Sequence, residues 1–213
     1  MTDDMSPEVT VEQLTLITSD GVELRAELAA PNPIRAAMVV CHPHPLYGGS
    51  MEANVVEALF RSLPGNEIGI LRFNFRGGGG SGGSHDNGTG EQLDVRAAIE
   101  AALVRWPDVP LTLAGYSFGA DVALAVDHDQ VQGWFGVAPP LRILAVSDLV
   151  ALTDERPKHL VAAAHDQFRS PAELAELVAN APNTTVTTVN GADHFFSVGL
   201  GPMVEAARSA LRS

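Results

Sequence analysis

Residues 110–126, with the sequence PLTLAGYSFGADVALAV, constrain the fold more than any other segment of the chain. They read as a short apolar strand, a turn of the pattern Gly115-x-Ser117-x-Gly119, and the start of a helix. Such a turn strains the serine backbone, and glycines two positions to either side let strand and helix pack closely. The segment therefore predicts a serine hydroxyl that projects from a sheet edge at a helix N-terminus. The alternative is a glycine-rich turn in which Ser117 only caps the helix.

The rest of the chain alternates between short β-rich runs and amphipathic segments of helical period. Two alternating runs joined at Ser19-Asp20-Gly21 predict an N-terminal antiparallel hairpin. Helical segments separate six further β-rich runs, which is typical of a mostly parallel sheet with helices on both faces. The predicted strands are 9–18, 22–30, 36–41, 68–75, 110–115, 131–138, 158–164 and 184–190. We therefore predict an α/β fold with an eight-stranded, doubly wound sheet and one domain over residues 1–213.

Apolar stripes and capping signals locate the helices. Thr89 with Gln92 predicts a capping box, and Ser170-Pro171-Ala172-Glu173 predicts another. Between the strands at 131–138 and 158–164, residues 141–152 read as one amphipathic helix. One helix is too little for a cap domain, so we expect none. The other predicted helices are the stripes at 55–63 and 95–106, the segment after Ser117, one from Pro171 and a last one from near Pro202.

A serine hydroxyl is a weak nucleophile unless a base and a group that orients the base lie beside it. In a fold with this turn, the acid and then the histidine follow the serine along the chain. Asp166 follows the run 158–164, and His194 follows the last predicted strand. We therefore predict that His194 activates Ser117 and that Asp166 orients His194. Asp193 is the competing carboxylate, but neighbouring side chains in a loop face each other poorly.

Further segments give the chain a family resemblance. The sequence CHPHPLYGGSM follows the third strand at 41–51, and RFNFRG follows the fourth at 72–77, with Gly90-Glu91 and Asp94 beyond. With GYSFG at 115–119 and GADH at 191–194, these segments make residues 36–200 resemble the α/β-hydrolase superfamily. The chain is most similar to bacterial lidless hydrolases of the dienelactone-hydrolase-like or serine-aminopeptidase-like kind. The resemblance implies an α/β-hydrolase fold without a cap domain.

Two positions depart from the pattern of that superfamily. Many members have His-Gly where this chain has His42-Pro43, and many have an aspartate where Asn74 stands. The first departure affects the oxyanion hole, because proline has no N–H to donate. One oxyanion donor is expected from the backbone N–H of Phe118, directly after the nucleophile. The second is expected from the loop His44–Tyr47, with N–H groups near Leu46 aimed at the Ser117 hydroxyl.

Two other motifs allow cofactor readings. The glycine run 77–83 contains G-x-G-x-x-G, but no helix opens directly from it and no P-loop lysine follows, so a turned loop beside the active site is expected. His42 and His44 have the spacing of metal ligands, yet the further Asp-His of metallo-hydrolases is missing. We expect these histidines to shape the oxyanion loop. The sequence thus predicts an enzyme without cofactor or metal.

Charge and cysteine content limit the partners and the location that we expect. A formal net charge of −13 repels phosphate backbones and anionic lipids, so no nucleic-acid or membrane partner is expected. The first ten residues lack a basic and apolar signal sequence, and Cys41 is the single cysteine. Both features favour a cytoplasmic location. The oligomeric state is not readable from the sequence.

These residues together predict a serine hydrolase for a small-molecule ester, thioester or related acyl substrate, acting through an acyl-enzyme. Without a cap, its cleft is expected to be shallow and to favour short acyl groups. Acyl transfer or peptide hydrolysis on the same triad remains an alternative. A noncatalytic binding protein on the same fold is another, because fold does not dictate function.

Overall fold

One eight-stranded sheet organises the protein in the computed structural model, which describes residues 8–212. The strands are β1 Glu8–Ile17, β2 Glu23–Asn32, β3 Ala36–Cys41, β4 Ile68–Phe73, β5 Leu111–Tyr116, β6 Val131–Val137, β7 Lys158–His165 and β8 Thr184–Asp193. Their order across the sheet is β1-β2-β4-β3-β5-β6-β7-β8. The pairs β1–β2 and β2–β4 are antiparallel, and the remaining neighbours are parallel. The predicted mostly parallel sheet with an antiparallel N-terminal pair is confirmed.

Helices cover both faces of this sheet. They are α1 Asn54–Ser62, α2 Glu91–Arg105, α3 Phe118–Leu124, α4 Pro171–Leu177 and α5 Leu200–Ala210. Apolar side chains of α1 and α5 join the core on one face, and those of α2, α3 and α4 join the core on the other. Strand β3 is buried along its whole length, as expected for a central parallel strand between two helical layers. Within the described part of the chain, no helix is long and apolar enough to span a bilayer.

The predicted helix over residues 141–152 is wrong. The structure has two short 3₁₀ helices there, Val146–Asp148 and Val150–Thr153. The buried Asp121 carboxylate accepts the backbone N–H groups of three successive residues, 141–143, and holds them outside a helix. Leu149 and Leu152 are still buried, so the apolar positions of the segment cover the sheet without helical geometry. No cap domain is present among residues 8–212, as predicted.

The capping box predicted at Thr89 and Gln92 is also wrong. Helix α2 begins at Glu91, and its N-cap Gly90 offers no side chain. The Asp86 carboxylate accepts the Gly90 N–H at 3.0 Å instead. The box at Ser170 and Glu173 is confirmed, with both reciprocal hydrogen bonds formed. The prediction about a secretory signal falls mainly on residues 1–7, which lie outside the described residues.

Candidate active site

The turn between β5 and α3 holds Ser117 in a backbone conformation that few residues adopt. Its φ is 53° and its ψ is −119°. A Cβ on Gly115 would come 2.2 Å from the Gly119 carbonyl oxygen, and one on Gly119 would come 2.5 Å from the Cys41 carbonyl oxygen. The two glycines are therefore needed for the close approach of α3 to β5 and β3. The Ser117 side chain does not cap α3, so the simple capping interpretation is wrong.

The Ser117 hydroxyl meets a histidine that follows the last strand of the sheet. Ser117 Oγ lies 2.9 Å from His194 Nε2. On the other side of the imidazole, His194 Nδ1 lies 2.9 Å from Asp166 Oδ2 and 3.1 Å from Asp166 Oδ1. His194 follows β8 and Asp166 follows β7, so the carboxyl ends of neighbouring parallel strands bring them together. The structure thus places side by side the three residues that the sequence selected as a triad.

The two candidate carboxylates have different partners. Asp166 also accepts the backbone N–H groups of Phe168 at 2.8 Å and Arg169 at 3.1 Å. Burial raises the pKa of Asp166, but hydrogen bonds from His194 and these N–H groups outweigh it, so the pKa is lowered overall. Asp193 instead accepts from the backbone and the hydroxyl of Ser197, at 3.1 and 3.2 Å. Asp166 therefore stays ionised at neutral pH beside the imidazole.

Neighbouring groups fix the orientation of His194. The Tyr116 hydroxyl donates to the His194 carbonyl at 2.9 Å, and the His194 N–H donates to Gln167 Oε1 at 3.2 Å. Burial raises the pKa of Tyr116, so the phenol keeps the proton that it donates. The His194 side chain is 7% exposed and that of Asp166 is 1% exposed. Water therefore has little access to the hydrogen bond between them.

The loop after β3 lies beside the start of α3, but its N–H groups are arranged differently from the prediction. The rings of His44 and Phe118 are 4.8 Å apart. The Leu46 N–H donates to His44 Nδ1 at 3.3 Å, and the Tyr47 N–H donates to the His44 carbonyl at 3.1 Å. The side chains of Leu46 and Tyr47 are 65% and 87% exposed. Within residues 8–212, the backbone N–H groups of His44 and Phe118 have no acceptor.

Comparison with known proteins places this chain in a family. The serine aminopeptidase S33 hydrolase family matches residues 32–161. The chain belongs to this family. An uncharacterized protein of Rickettsia prowazekii is 33% identical over 177 residues, which cover 78% of this chain and 74% of that protein. The family match includes Ser117 but ends before Asp166 and His194, so the positions of the acid and the base rest on the geometry above.

Two solved structures share the whole architecture. An α/β serine hydrolase homologue from Coxiella burnetii is 31% identical, with a TM-score of 0.83, covering 93% of this chain and 96% of that one. A serine hydrolase without a lid from Xanthomonas campestris is also 31% identical with a TM-score of 0.83, covering 95% and 94%. The α/β-hydrolase fold without a cap domain, expected from the resemblance, is confirmed.

Sequence reasoning missed His85, which this S33 family member carries on the loop between β4 and α2. Its ring lies 4.6 Å from the His44 ring and 5.4 Å from the Phe118 ring. His85 Nδ1 lies 2.7 Å from Oε1 of the buried Glu91. The one available signal was the glycine run just before it, which predicted a loop beside the active site.

His42, which was expected to shape the oxyanion loop, and Asn74, whose role was not predicted, both bond to the loops at the ends of β3 and β4. Both nitrogens of the buried His42 have backbone partners: Nε2 accepts the Phe75 N–H at 2.9 Å, and Nδ1 lies 2.5 Å from the Pro43 carbonyl. Asn74 accepts the Met51 N–H and donates to the Gly79 carbonyl. These side chains therefore tie the loops after β3 and β4 together.

Proposed function

We propose that the protein is a serine hydrolase that cleaves an ester, thioester or related acyl bond through a Ser117–Asp166–His194 triad and an acyl-enzyme. One observation carries the proposal. The Ser117 hydroxyl, the His194 imidazole and the Asp166 carboxylate form a continuous chain with both contacts at 2.9 Å. Fold and family make the protein an α/β hydrolase, and the contacts from Ser117 through His194 to Asp166 support the serine mechanism.

The reaction follows from these contacts. Ser117 Oγ forms a bond to the substrate carbonyl carbon while its proton passes to His194 Nε2. The bond between that carbon and the leaving oxygen or sulfur then breaks, and His194 returns the proton to the leaving group. Water attacks the acyl-enzyme in the same way, with His194 as the base, and releases the acid and Ser117. Asp166 keeps His194 in the productive orientation and stabilises the imidazolium.

Two backbone N–H groups are suited to stabilise the oxyanion. The first is that of Phe118, which has no acceptor and stands at the N-terminus of α3. We assign the second to His44 rather than Leu46, because the Leu46 N–H is already bonded within its own turn. Pro43 and Pro45 have no N–H, so His44 is the single donor available between them.

The proposal is tested with an activity-based probe and a series of p-nitrophenyl esters of increasing acyl length. We expect a fluorophosphonate to label Ser117 and short acyl esters to be turned over fastest, because no cap buries a long chain. Ser117→Ala should abolish labelling and lower kcat by a factor on the order of 10⁴ or more. Ser209→Ala, at an exposed site on α5, is the matched control and should behave as wild type.

The outcomes separate the alternatives. Turnover of Ser117→Ala near the wild-type rate would contradict the triad. Labelling without ester turnover, combined with release of an amino-terminal residue from peptides, would indicate a peptidase. Faster product formation with an added alcohol acceptor than with water would indicate an acyltransferase. A folded protein that neither reacts with the probe nor turns over esters would indicate a binding protein.

A further inference from the structure

Two phenylalanines border the imidazole of His194 and remain open to solvent. Their rings meet the imidazole edge-on, with centroids 4.5 Å away for Phe168 and 5.5 Å for Phe195. The two rings are also T-shaped to each other at 6.2 Å. They are 41% and 55% exposed, whereas the adjacent Phe196 is fully buried in the core. Phe168 and Phe195 therefore present apolar surface beside the base.

A positive charge lies against the Phe168 ring. The guanidinium carbon of Arg142 is 5.2 Å from the Phe168 ring centroid, a cation–π contact. Its backbone is anchored, because the Arg142 N–H donates to the buried Asp121 carboxylate at 2.9 Å. The exposed Arg142 side chain forms no ion pair within residues 8–212. Arg142 thus places a positive charge against the ring that also contacts His194.

Comparison with Arg156 shows what Arg142 lacks. Arg156 also stacks on an aromatic ring, that of Trp134 at 4.5 Å, but it is neutralised by Asp154 and Asp127. Among residues 8–212, no carboxylate lies within ion-pair distance of the Arg142 side chain. An anionic group bound at Arg142 would give this guanidinium an aromatic ring and a negative charge as neighbours, which Arg156 already has.

The chemistry determines which part of a substrate lies here. His194 must give its proton to the leaving oxygen, so that oxygen comes within hydrogen-bond reach of the imidazole. The group attached to that oxygen therefore begins beside Phe168 and Phe195. We propose that Phe168, Phe195 and Arg142 form a leaving-group subsite for an apolar, ring-sized alcohol that ends in a negative charge. This inference rests on the proposed function.

The dimensions of the subsite suit such a group. The Phe168 ring contacts both groups, with its centroid 4.5 Å from that of the imidazole and 5.2 Å from the guanidinium carbon. A leaving group with one ring between its alcohol oxygen and a carboxylate has the matching length. A 4-carboxybenzyl ester meets this description: the bond to its benzyl oxygen breaks, the proton from Ser117 reaches that oxygen through His194, and the acyl group stays on Ser117.

The test uses three acetyl esters that share one acyl-enzyme: ethyl, benzyl and 4-carboxybenzyl acetate, at pH 8 and low salt. Because deacylation is identical for all three, differences in kcat/KM report the leaving group. We expect kcat/KM to be about 10-fold higher for the benzyl ester than for the ethyl ester, because the benzyl ring makes apolar contact. We expect kcat/KM to be about 5-fold higher again for the 4-carboxybenzyl ester than for the benzyl ester, because its carboxylate contacts Arg142. A concentration of 1 M NaCl should remove this second preference.

Variants assign the two preferences to side chains. Arg142→Gln should lower the ratio of 4-carboxybenzyl to benzyl turnover about 5-fold, to near one. Arg96→Gln, at an exposed position on α2, removes the same charge elsewhere and should keep the wild-type ratio. Phe195→Ala should lower the ratio of benzyl to ethyl turnover. A wild-type ratio of 4-carboxybenzyl to benzyl turnover near one would overturn the subsite while leaving the hydrolase intact. Equal effects of Arg142→Gln and Arg96→Gln on that ratio would do the same. Absence of any Ser117-dependent ester cleavage would instead overturn the proposed function, and this inference with it.

Discussion

Two histidine–carboxylate pairs stand at the same edge of the sheet, and one of them meets a serine hydroxyl. In the first pair, His194 lies between Asp166 and the Ser117 hydroxyl, with 2.9 Å on each side. In the second pair, His85 Nδ1 lies 2.7 Å from Glu91 Oε1, and its ring packs against other rings instead of a hydroxyl. A histidine beside a carboxylate is therefore not enough to indicate a catalytic base.

The carboxylates show what each pair does. The buried Glu91 also accepts the N–H groups of Asp86 at 2.9 Å and Gly88 at 2.8 Å, so it shapes the loop that leads into α2. Asp166 accepts two N–H groups of its own loop as well, but its side chain is aimed at His194. Glu91 thus positions a loop, whereas Asp166 is hydrogen-bonded to the imidazole that contacts Ser117.

The largest expected effect is on catalysis and comes from the first pair. Asp166→Asn keeps the size of the side chain but removes the charge, and it should lower kcat by roughly 10⁴ because the imidazole loses its orientation. Asp193→Asn is the matched control and should leave kcat within a few-fold of wild type, because Asp193 bonds to Ser197. Steady-state kinetics on a short p-nitrophenyl ester measures both. A reversed order of the two effects would show that Asp193 is the acid.

A third histidine sharpens the comparison, because His42 has backbone partners in place of a carboxylate. Burial lowers its pKa to about 4, below the ordinary value near 6.5. Between those two values the unfolded chain takes up a proton that the folded chain excludes, so stability falls as the pH drops from about 6.5 to about 4. The loss due to His42 is about 3 kcal/mol, and above pH 6.5 His42 adds no pH dependence.

Urea unfolding at pH 7 and pH 4 tests this contribution. In His42→Gln, where the amide oxygen can still accept the Phe75 N–H, the free energy of unfolding should fall less on acidification than in wild type, by about 3 kcal/mol. His165→Gln, at an exposed position, should follow the wild-type curve. Parallel curves for wild type and His42→Gln would show that His42 is not held neutral by burial.

The smallest expected effect comes from the second pair. Glu91→Gln leaves an amide group facing a backbone N–H, so it should destabilise the fold by roughly 1–3 kcal/mol. Its kcat should fall far less than that of Asp166→Asn, because Glu91 positions a loop. Thermal unfolding and limited proteolysis of the loop 77–90 measure the change, with the exposed Glu176→Gln as control. If Glu91→Gln lost as much activity as Asp166→Asn at unchanged stability, Glu91 would take part in catalysis.

Local pattern was enough to predict most of the fold. The alternation of β-rich runs and helical stripes predicted all eight strands, with ends within two or three residues of those in the structure. Buried parallel strands such as β3 are apolar at every position, and this signal does not depend on distant residues. The same logic failed at residues 141–152, where a buried carboxylate from α3 competes with helix formation.

The sequence by itself determined the turn around Ser117, because the strand, the two glycines and the helix that create it are consecutive. Chain order and strand ends then predicted which aspartate and which histidine join it. Only the tertiary structure showed the contacts that the loops make. Leu46 donates within its own turn, His85 packs near Phe118, and Arg142 stacks on Phe168. The last two contacts join residues far apart in the chain, so their geometry depends on how the strand ends converge and leaves no periodic signal in the sequence.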